Sequence, residues 1–316
     1  MTGPVFGPVF VLTAHRSGGT ALARGLNRHP DLMIWGEHAG FINKLAELDS
    51  VVGHYPRLTQ PLADRDLAGH VRLDKFAPGG FDPWLNPFEQ SAWREDCRRS
   101  LAAMFSQHLH QGQRWGFKEV RYHTPDTARF LLTLFPDARF VILRRPLGPL
   151  TISNMLTPWS VNLLRQLGAT EDEAKLRAAV HDCVYALAVV NGGLGAIARA
   201  FPAQCRAIES RDLGEPERIF ADLFAFLGLT QWPALLDEVR TASERRLGMT
   251  DLDGSEGLLS RAAVERLLPE ALEAARAALT TGLPDLARLR RLGPVARYSF
   301  LVGDHEVAAT NLSSMF

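Results

Sequence analysis

A short basic segment with two adjacent glycines, residues 15–20 (HRSGGT), has the residue types needed to hold an anion. It follows the apolar run Val9–Thr13, which predicts a strand buried on both faces, and precedes a helical pattern that continues to Leu26. Adjacent glycines let the backbone approach a ligand, and the N–H groups and dipole at a helix N-terminus attract negative charge. Arg16 adds a full charge and a planar fork that fits phosphate or sulfate oxygens. The segment therefore predicts a phosphate or sulfate site.

The same segment differs from the nucleotide-binding P-loop of kinases and ATPases. That motif, G-x-x-x-x-G-K-[ST], places a lysine and a magnesium-binding hydroxyl directly after its glycines. Here the cation, Arg16, precedes Gly18 and Gly19 instead. A P-loop kinase that acts on a small hydroxylated substrate is therefore kept as an alternative and is not the preferred interpretation.

Three motifs between residues 16 and 37 resemble those of the sulfotransferases that use 3′-phosphoadenosine 5′-phosphosulfate (PAPS). The segment RSGGT, the pair HP at residues 29–30 and the pair GE at residues 36–37 follow one another as RSGTT, HP and GE do in the tyrosylprotein-sulfotransferase-like branch. The chain departs from this pattern at Gly19, which stands where the family has the first threonine. The resemblance implies that one hydroxyl contact to the 5′-phosphate is missing here.

Two later segments extend the resemblance to residue 229, in the family's order. Residues 135–146 (FPDARFVILRRP) are similar to the segment that holds the 3′-phosphate, and residues 212–229 are similar to a C-terminal segment of the family. The 3′-phosphate arginine and serine of the family are eight residues apart, a spacing that Arg145 and Ser153 satisfy. The family's proline position instead favours Arg144. We prefer Arg145 with Ser153 and keep Arg144 as the alternative.

The resemblance implies a role for each candidate site residue. The 5′-phosphosulfate is held by Arg16 together with the residues that follow it, which are Ser17, Gly18, Gly19 and Thr20. Lys118 corresponds to the lysine that contacts the sulfuryl group, and Glu37 corresponds to the base. His38 is the second choice for the base, since imidazole is the better base near neutral pH, and adjacent strand residues point to opposite faces. The simpler interpretation of Lys118 is a surface lysine paired with Glu119.

The predicted elements bring these residues to one edge of a sheet. Apolar runs that end near Thr13, Lys118 and Arg144 predict strands, each followed by a helix or loop. Ligands of open α/β sheets bind outside the carboxyl ends of the strands. We therefore expect a single α/β domain over residues 1–316. It has a P-loop-like central parallel β-sheet flanked by helices, and residues 230–316 form a mainly helical C-terminal part.

Residues 49–114 are predicted to form an insert or lid that shapes the acceptor pocket. A short helix is expected over Glu37–Leu48, and from Asp49 to about Asn86 prolines and glycines interrupt any periodicity, with aromatic residues between them. Long irregular stretches in compact proteins are usually functional or disordered. The alternative is that this stretch is a surface loop that does not shape the acceptor pocket. A late strand is expected over Tyr298–Val302.

A second glycine motif, residues 193–198 (GLGAIA), matches the dinucleotide-binding pattern G-x-G-x-x-A. Only six residues separate Gly195 from Pro202. A parallel crossover needs about a dozen residues or more. We therefore predict that these glycines lie inside a helix and do not hold a dinucleotide.

Composition argues against several classes of partner. Lysine plus arginine and aspartate plus glutamate both total 35, which argues against steering to nucleic acid or anionic membranes. Three separated cysteines indicate neither a disulfide framework nor a zinc site.

No apolar run reaches the ~18 residues of a membrane helix, and the start lacks the basic region of a signal peptide. We expect a cytoplasmic, metal-independent enzyme with a small-molecule or peptide hydroxyl acceptor. A catalytically silent nucleotide-binding protein is the second alternative.

Overall fold

In the computed structural model, which describes residues 7–54, 89–231, 233–244 and 259–280, five parallel strands form one sheet. The strand order is β2-β3-β1-β4-β5, so the first strand lies at the centre. Because every neighbouring pair of strands is parallel, the C-terminal ends of all five strands lie at the same end of the sheet, which we call its carboxyl edge. The strands are β1 (Val9–Thr13), β2 (Leu32–Trp35), β3 (Arg114–Glu119), β4 (Arg139–Arg144) and β5 (Cys205–Glu209).

Helices cover both faces of this sheet, which confirms the predicted α/β class. A 3-10 helix, Ser210–Gly214, follows β5 directly. The α-helices of the described residues are α1 (Gly19–Leu26), α2 (Ile42–His54), α3 (Gln90–Ser106), α4 (Pro125–Leu134), α5 (Leu147–Met155), α6 (Pro158–Gln166), α7 (Glu173–Ala200), α8 (Pro216–Phe226), α9 (Pro233–Glu244) and α10 (Arg261–Thr280).

The central strand β1 is buried on both faces. Phe10 and Leu12 belong to the larger hydrophobic core, which α2 to α7 and α10 complete. Val9 and Val11 belong to a second core, which α1, α8 and α9 complete. Alternate side chains of a strand point to opposite faces, so a strand covered on both sides needs a continuous apolar run. The predicted buried strand is confirmed.

The longest helix, α7, lies in the larger core. Among the described residues, it alone is long and apolar enough to cross a membrane, and 72% of its apolar window is buried inside the protein. It packs against β4, β5, α5 and α10. Gly193–Ala198 lies within it, so the prediction of a helix at this glycine motif is confirmed. Gly193 faces the main-chain carbonyl of His123, where a side chain would not fit.

The helix after β2 differs from its predicted bounds. α2 begins at Ile42 because Ala39 and Gly40, with φ of 60° and 71°, form a left-handed turn before it. The predicted end at Leu48 is wrong, since α2 continues to His54. Asp49 is held there by Arg94 of α3, whose Nε and Nη2 each donate to it at 2.8 Å. This tertiary contact stabilises a turn of helix that local periodicity does not indicate.

Most of the proposed insert lies outside the described residues. Its part after residue 88 includes α3, whose Leu101 and Phe105 belong to the larger core beside β1. Residues 55–88 are not described, and the lid therefore stays a prediction. The predicted strand Tyr298–Val302 and much of the helical C-terminal part also lie outside the described residues.

Candidate active site

The turn between β1 and α1 leaves the N-terminus of α1 open. Arg16 and Gly18 have φ of 62° and 98°, and Gly18 is the N-cap residue of α1. Gly18 provides no side-chain cap, and the first turn of α1 contains no acidic residue. The first N–H groups of a helix have no partner within the helix, and the dipole there favours negative charge. The turn can therefore accept an anion, as the sequence predicts.

Ser17 holds this turn in shape with its side chain. The residue is 1% exposed, and its hydroxyl donates to the carbonyl of Ala14 at 2.6 Å. The same hydroxyl also hydrogen bonds with that of Thr13. Ser17 can therefore offer an anion its main-chain N–H and not its hydroxyl. Thr20, by contrast, is exposed in the first turn of α1, so its hydroxyl is accessible.

Gly19 leaves space that two other side chains use. A Cβ atom at this position would lie 2.6 Å from Cγ2 of Thr13 and 3.1 Å from Cε of Lys118. The first distance is too short for two carbon atoms, so a side chain here requires Thr13 to move. Thr13 and Lys118 therefore occupy the space that the family's threonine side chain would need at this position. Glycine lets the Lys118 side chain lie across the start of α1.

Two arginines and a serine from distant segments meet beside the turn. Nε of Arg16 donates to Oγ of Ser153 at 3.3 Å, and Nη1 of Arg145 donates to the carbonyl of Arg16 at 2.6 Å. Burial lowers the pKa of Arg145, and the charge of Arg16 lowers it further. Within the described part of the chain, neither arginine forms an ion pair with a carboxylate. Among the residues that the structure describes, no ion pair therefore balances the positive charge of these two guanidinium groups.

Arg144 lies apart from this pair. It is the last residue of β4, and its Nε is 3.8 Å from Oε1 of Glu209 on β5. Nη1 of Arg144 lies beside Gly195 of α7. Of the two arginines considered for the 3′-phosphate, the structure therefore places Arg145 with Arg16 and Ser153, and pairs Arg144 with a carboxylate.

Glu37 lies between two cations. Lys118 Nζ hydrogen bonds with its Oε1, and Arg121 Nη1 donates to its Oε2 at 3.2 Å. Burial alone would raise the pKa of Glu37, but the hydrogen bond and charge of Lys118, with the charges of His15 and Arg121, lower it overall. Glu37 is therefore ionised at neutral pH, and 31% of its side chain is exposed.

His38 points into an aromatic cluster. Its ring lies against Phe41, Phe105 and Phe117, and its Nε2 is 2.6 Å from the hydroxyl of Tyr122. Burial lowers the pKa of His38, although the charge of Glu119 acts in the opposite direction. The two candidate bases therefore have different surroundings. Glu37 lies among the cations, whereas His38 packs in the core.

Glu119 and Arg121 also contact the site, although neither was assigned a role from the sequence. The simpler interpretation of Lys118, a surface pair with Glu119, is wrong because Lys118 pairs with Glu37. Glu119 is fully buried and bonds to Arg121. The one available signal was the charged run KEVR at the end of an apolar strand. In residues 7–54, 89–231, 233–244 and 259–280, no group of three or more His, Cys, Asp or Glu side chains could hold a metal.

A glycine turn, an open helix N-terminus and two arginines without a carboxylate partner among the described residues lie at the C-terminal ends of the strands of a P-loop-like α/β fold. A family model described as "Sulfotransferase family" matches residues 8–234, well over half of the chain. The chain therefore belongs to the sulfotransferase family, as its motifs indicate, and this membership supports a sulfuryl-transfer function. A search of curated proteins finds no match.

Solved structures similar to this chain include several sulfotransferases. The sulfotransferase from Alicyclobacillus acidocaldarius is 18% identical, with 85% of this chain and 98% of that chain covered and a TM-score of 0.41. The sulfotransferase domain from the curacin biosynthetic pathway is 13% identical, with 85% and 98% covered and a TM-score of 0.43. Sulfotransferase STF9 from Mycobacterium avium is 17% identical, with 86% and 77% covered and a TM-score of 0.40.

The space at Gly19 gives a testable coupling with Thr13. Gly19→Ala is expected to lower the free energy of unfolding by about 1–3 kcal/mol, because the new Cβ collides with Cγ2 of Thr13. Thr13→Ser removes that carbon and keeps the hydroxyl that bonds Ser17. The double variant should therefore be more stable than the sum of the single effects by at least about 0.5 kcal/mol. Urea unfolding of the four proteins measures this, and additive effects would contradict it.

Proposed function

We propose that the protein is a PAPS-dependent sulfotransferase that moves a sulfuryl group to the hydroxyl of a small-molecule or peptide acceptor. One observation carries the proposal. In a chain of the sulfotransferase family, Arg16, Lys118 and Arg145 converge from three separate segments on the open N-terminus of α1. The proposed compartment is the cytoplasm.

The described residues fit the donor. The N–H groups from Ser17 to Thr20, the hydroxyl of Thr20 and the guanidinium of Arg16 would hold the 5′-phosphosulfate. Arg145 and Ser153 would hold the 3′-phosphate, with the hydroxyl of Ser153 already bonded to Arg16. The arginine pair supports this assignment because it has charge and no carboxylate partner in the described part of the chain. The anionic 3′-phosphate and 5′-phosphosulfate groups of the nucleotide would supply the compensating charge.

Glu37 and Lys118 would carry the chemical step. The carboxylate of Glu37 accepts the proton of the acceptor hydroxyl as that oxygen bonds to sulfur. The bond between sulfur and the bridging phosphate oxygen breaks, and its electron pair stays on that oxygen. Lys118 stabilises the charge that develops there, as a preorganised cation does in many enzymes. The products are a sulfate ester and adenosine 3′,5′-bisphosphate, and no metal is needed in this scheme.

Two alternatives remain testable. A P-loop kinase would require a lysine after the glycines and a magnesium-binding hydroxyl beside it, and residues 18–20 (GGT) provide no such lysine. A catalytically silent nucleotide-binding protein is favoured by one observation, the threonine missing at Gly19. The contact between Gly19 and Lys118 argues against it, because it keeps a cation at the start of α1.

Donor choice separates these alternatives. We expect adenosine 3′,5′-bisphosphate and PAPS to raise the melting temperature, whereas ATP with Mg²⁺ should have little effect. Incubation with ³⁵S-labelled PAPS and a panel of phenols, alcohols and tyrosine peptides should then yield labelled ester. Binding of the bisphosphate without transfer to any acceptor or to water would favour the silent protein. Stabilisation by ATP alone would favour the kinase.

The adjacent arginines offer a matched pair of variants for the 3′-phosphate. Arg145→Ala should weaken the binding of adenosine 3′,5′-bisphosphate about 10- to 150-fold, which corresponds to the ~1.5–3 kcal/mol of a charged hydrogen bond. Arg144→Ala, which removes the partner of Glu209, should change the Kd by less than about threefold. Isothermal titration calorimetry measures both. The opposite ranking would assign the 3′-phosphate to Arg144.

Glu37→Gln tests the base. The variant keeps the size of the side chain but cannot take a proton, so turnover should fall at least about tenfold while nucleotide affinity stays near wild type. Glu209→Gln, at the end of β5, is the matched control and should keep its turnover. Initial rates with the best acceptor of the panel measure both. Unchanged turnover of Glu37→Gln would remove Glu37 from the mechanism and leave His38 as the candidate.

A further inference from the structure

Glu119, the last residue of β3, has a fully buried carboxylate with four donors. Oε2 accepts the N–H groups of His38 at 3.1 Å and Gly40 at 3.0 Å. Oε1 accepts the N–H of Val120 at 2.8 Å and Nη1 of Arg121 at 2.7 Å. A buried charge is costly unless it is paired and hydrogen bonded. Arg121 pairs with the charge of Glu119, and main-chain N–H groups, two of them from the segment that follows Glu37, donate hydrogen bonds to it.

The main-chain turn after Glu37 depends on this carboxylate. Ala39 and Gly40 both have positive φ, and the left-handed region is unfavourable for alanine. N–H groups in a tight turn that includes left-handed residues can converge on one concave point, which binds an anion. Here that anion is Oε2 of Glu119. The carboxylate therefore fixes the backbone that begins one residue after Glu37.

A second connection runs through Arg121. The same Nη1 atom that donates to Glu119 also donates to Oε2 of Glu37 at 3.2 Å. The Arg121 side chain is 13% exposed, and its guanidinium is held by a carboxylate that is itself buried. Arg121 is thus held beside Glu37 by a second carboxylate, whereas Glu37 is the one carboxylate that pairs with Lys118 among the described residues.

We propose that Glu119 is a positioning residue that holds Glu37 ready to accept a proton while Lys118 turns to the donor. It acts through the turn at residues 38–40 and through Arg121. The proposal rests on the proposed function, which draws the ammonium of Lys118 towards the bridging oxygen. Once that ammonium moves, Arg121 remains as the cation that orients Glu37, and Glu119 keeps Arg121 in place.

Glu119→Gln tests the proposal, because an amide cannot serve all four donors. If its oxygen faces the N–H groups of His38 and Gly40, its NH₂ group faces Val120 N–H and Arg121. If it is turned round, its NH₂ group faces the turn instead. One set of contacts is lost in either case. We expect kcat to fall at least about tenfold, and the Kd for adenosine 3′,5′-bisphosphate to change less than about threefold.

A double-variant cycle with Glu37→Gln distinguishes positioning from general loss of structure. If Glu119 acts through Glu37, then Glu119→Gln lowers kcat at least about tenfold in the wild type and less than about threefold in the Glu37→Gln background. An equal factor in both backgrounds would overturn the proposal. Arg121→Met, which leaves Glu119 in place, should behave in the same non-additive way and serves if Glu119→Gln does not fold.

Hydrogen exchange gives a readout that does not depend on turnover. Glu119→Gln should speed exchange of the peptide that contains residues 36–42, while a peptide from the second core, residues 216–226, stays protected. Unchanged exchange at residues 36–42 would overturn the role of Glu119 in the turn. Failure of the proposed function is recognised separately, by absent nucleotide binding or by unchanged turnover of Glu37→Gln alone.

Discussion

Several cations lie close together at the C-terminal ends of the strands. The electrostatic repulsion between them is the constraint on which the arrangement of the other residues at these ends depends. Lys118 and Arg121 lie on one side of the glycine turn, and Arg16 and Arg145 lie on the other. The first two face Glu37 and Glu119, so that half of the edge is close to neutral. The second two contact a hydroxyl and a main-chain carbonyl. Of these four cations, Arg16 and Arg145 are therefore the two without a carboxylate partner in the described part of the chain, and an anion beside them would relieve repulsion.

The parallel register produces this distribution. Val11 of the central strand pairs with Lys118 on one side and Val141 on the other, so the ends of β1, β3 and β4 lie at similar heights. The strands are buried on both faces, and a shift by one residue would exchange the side chains between two cores of different shape. Hydrophobic packing thus holds the cations at fixed positions. The fold keeps together charges that would otherwise separate.

The features that local chemistry determines could be predicted from the sequence. Continuous apolar runs predicted the central strands β1, β3 and β4. The pairing of Arg145 with Ser153 came from the family resemblance and not from local chemistry, and in the structure both residues contact Arg16. The environment of Glu119 could not be predicted, because it requires a positive-φ turn at Ala39, and alanine gives no sign of one. The end of α2 could not be predicted for a similar reason, because it depends on the ion pair between Asp49 and Arg94 of α3.

The glycine that departs from the family pattern is best understood through Lys118. A threonine at position 19 would offer a donor hydroxyl, but its Cβ would occupy space beside Cε of Lys118 and Cγ2 of Thr13. The stem of Lys118 uses that space to bring its ammonium to Glu37. In this chain, the lost hydroxyl and the position of the lysine are therefore consequences of the same substitution. A cation that lies against the helix N-terminus adds full positive charge where the helix dipole is already positive, and the carboxylate of Glu37 offsets that charge.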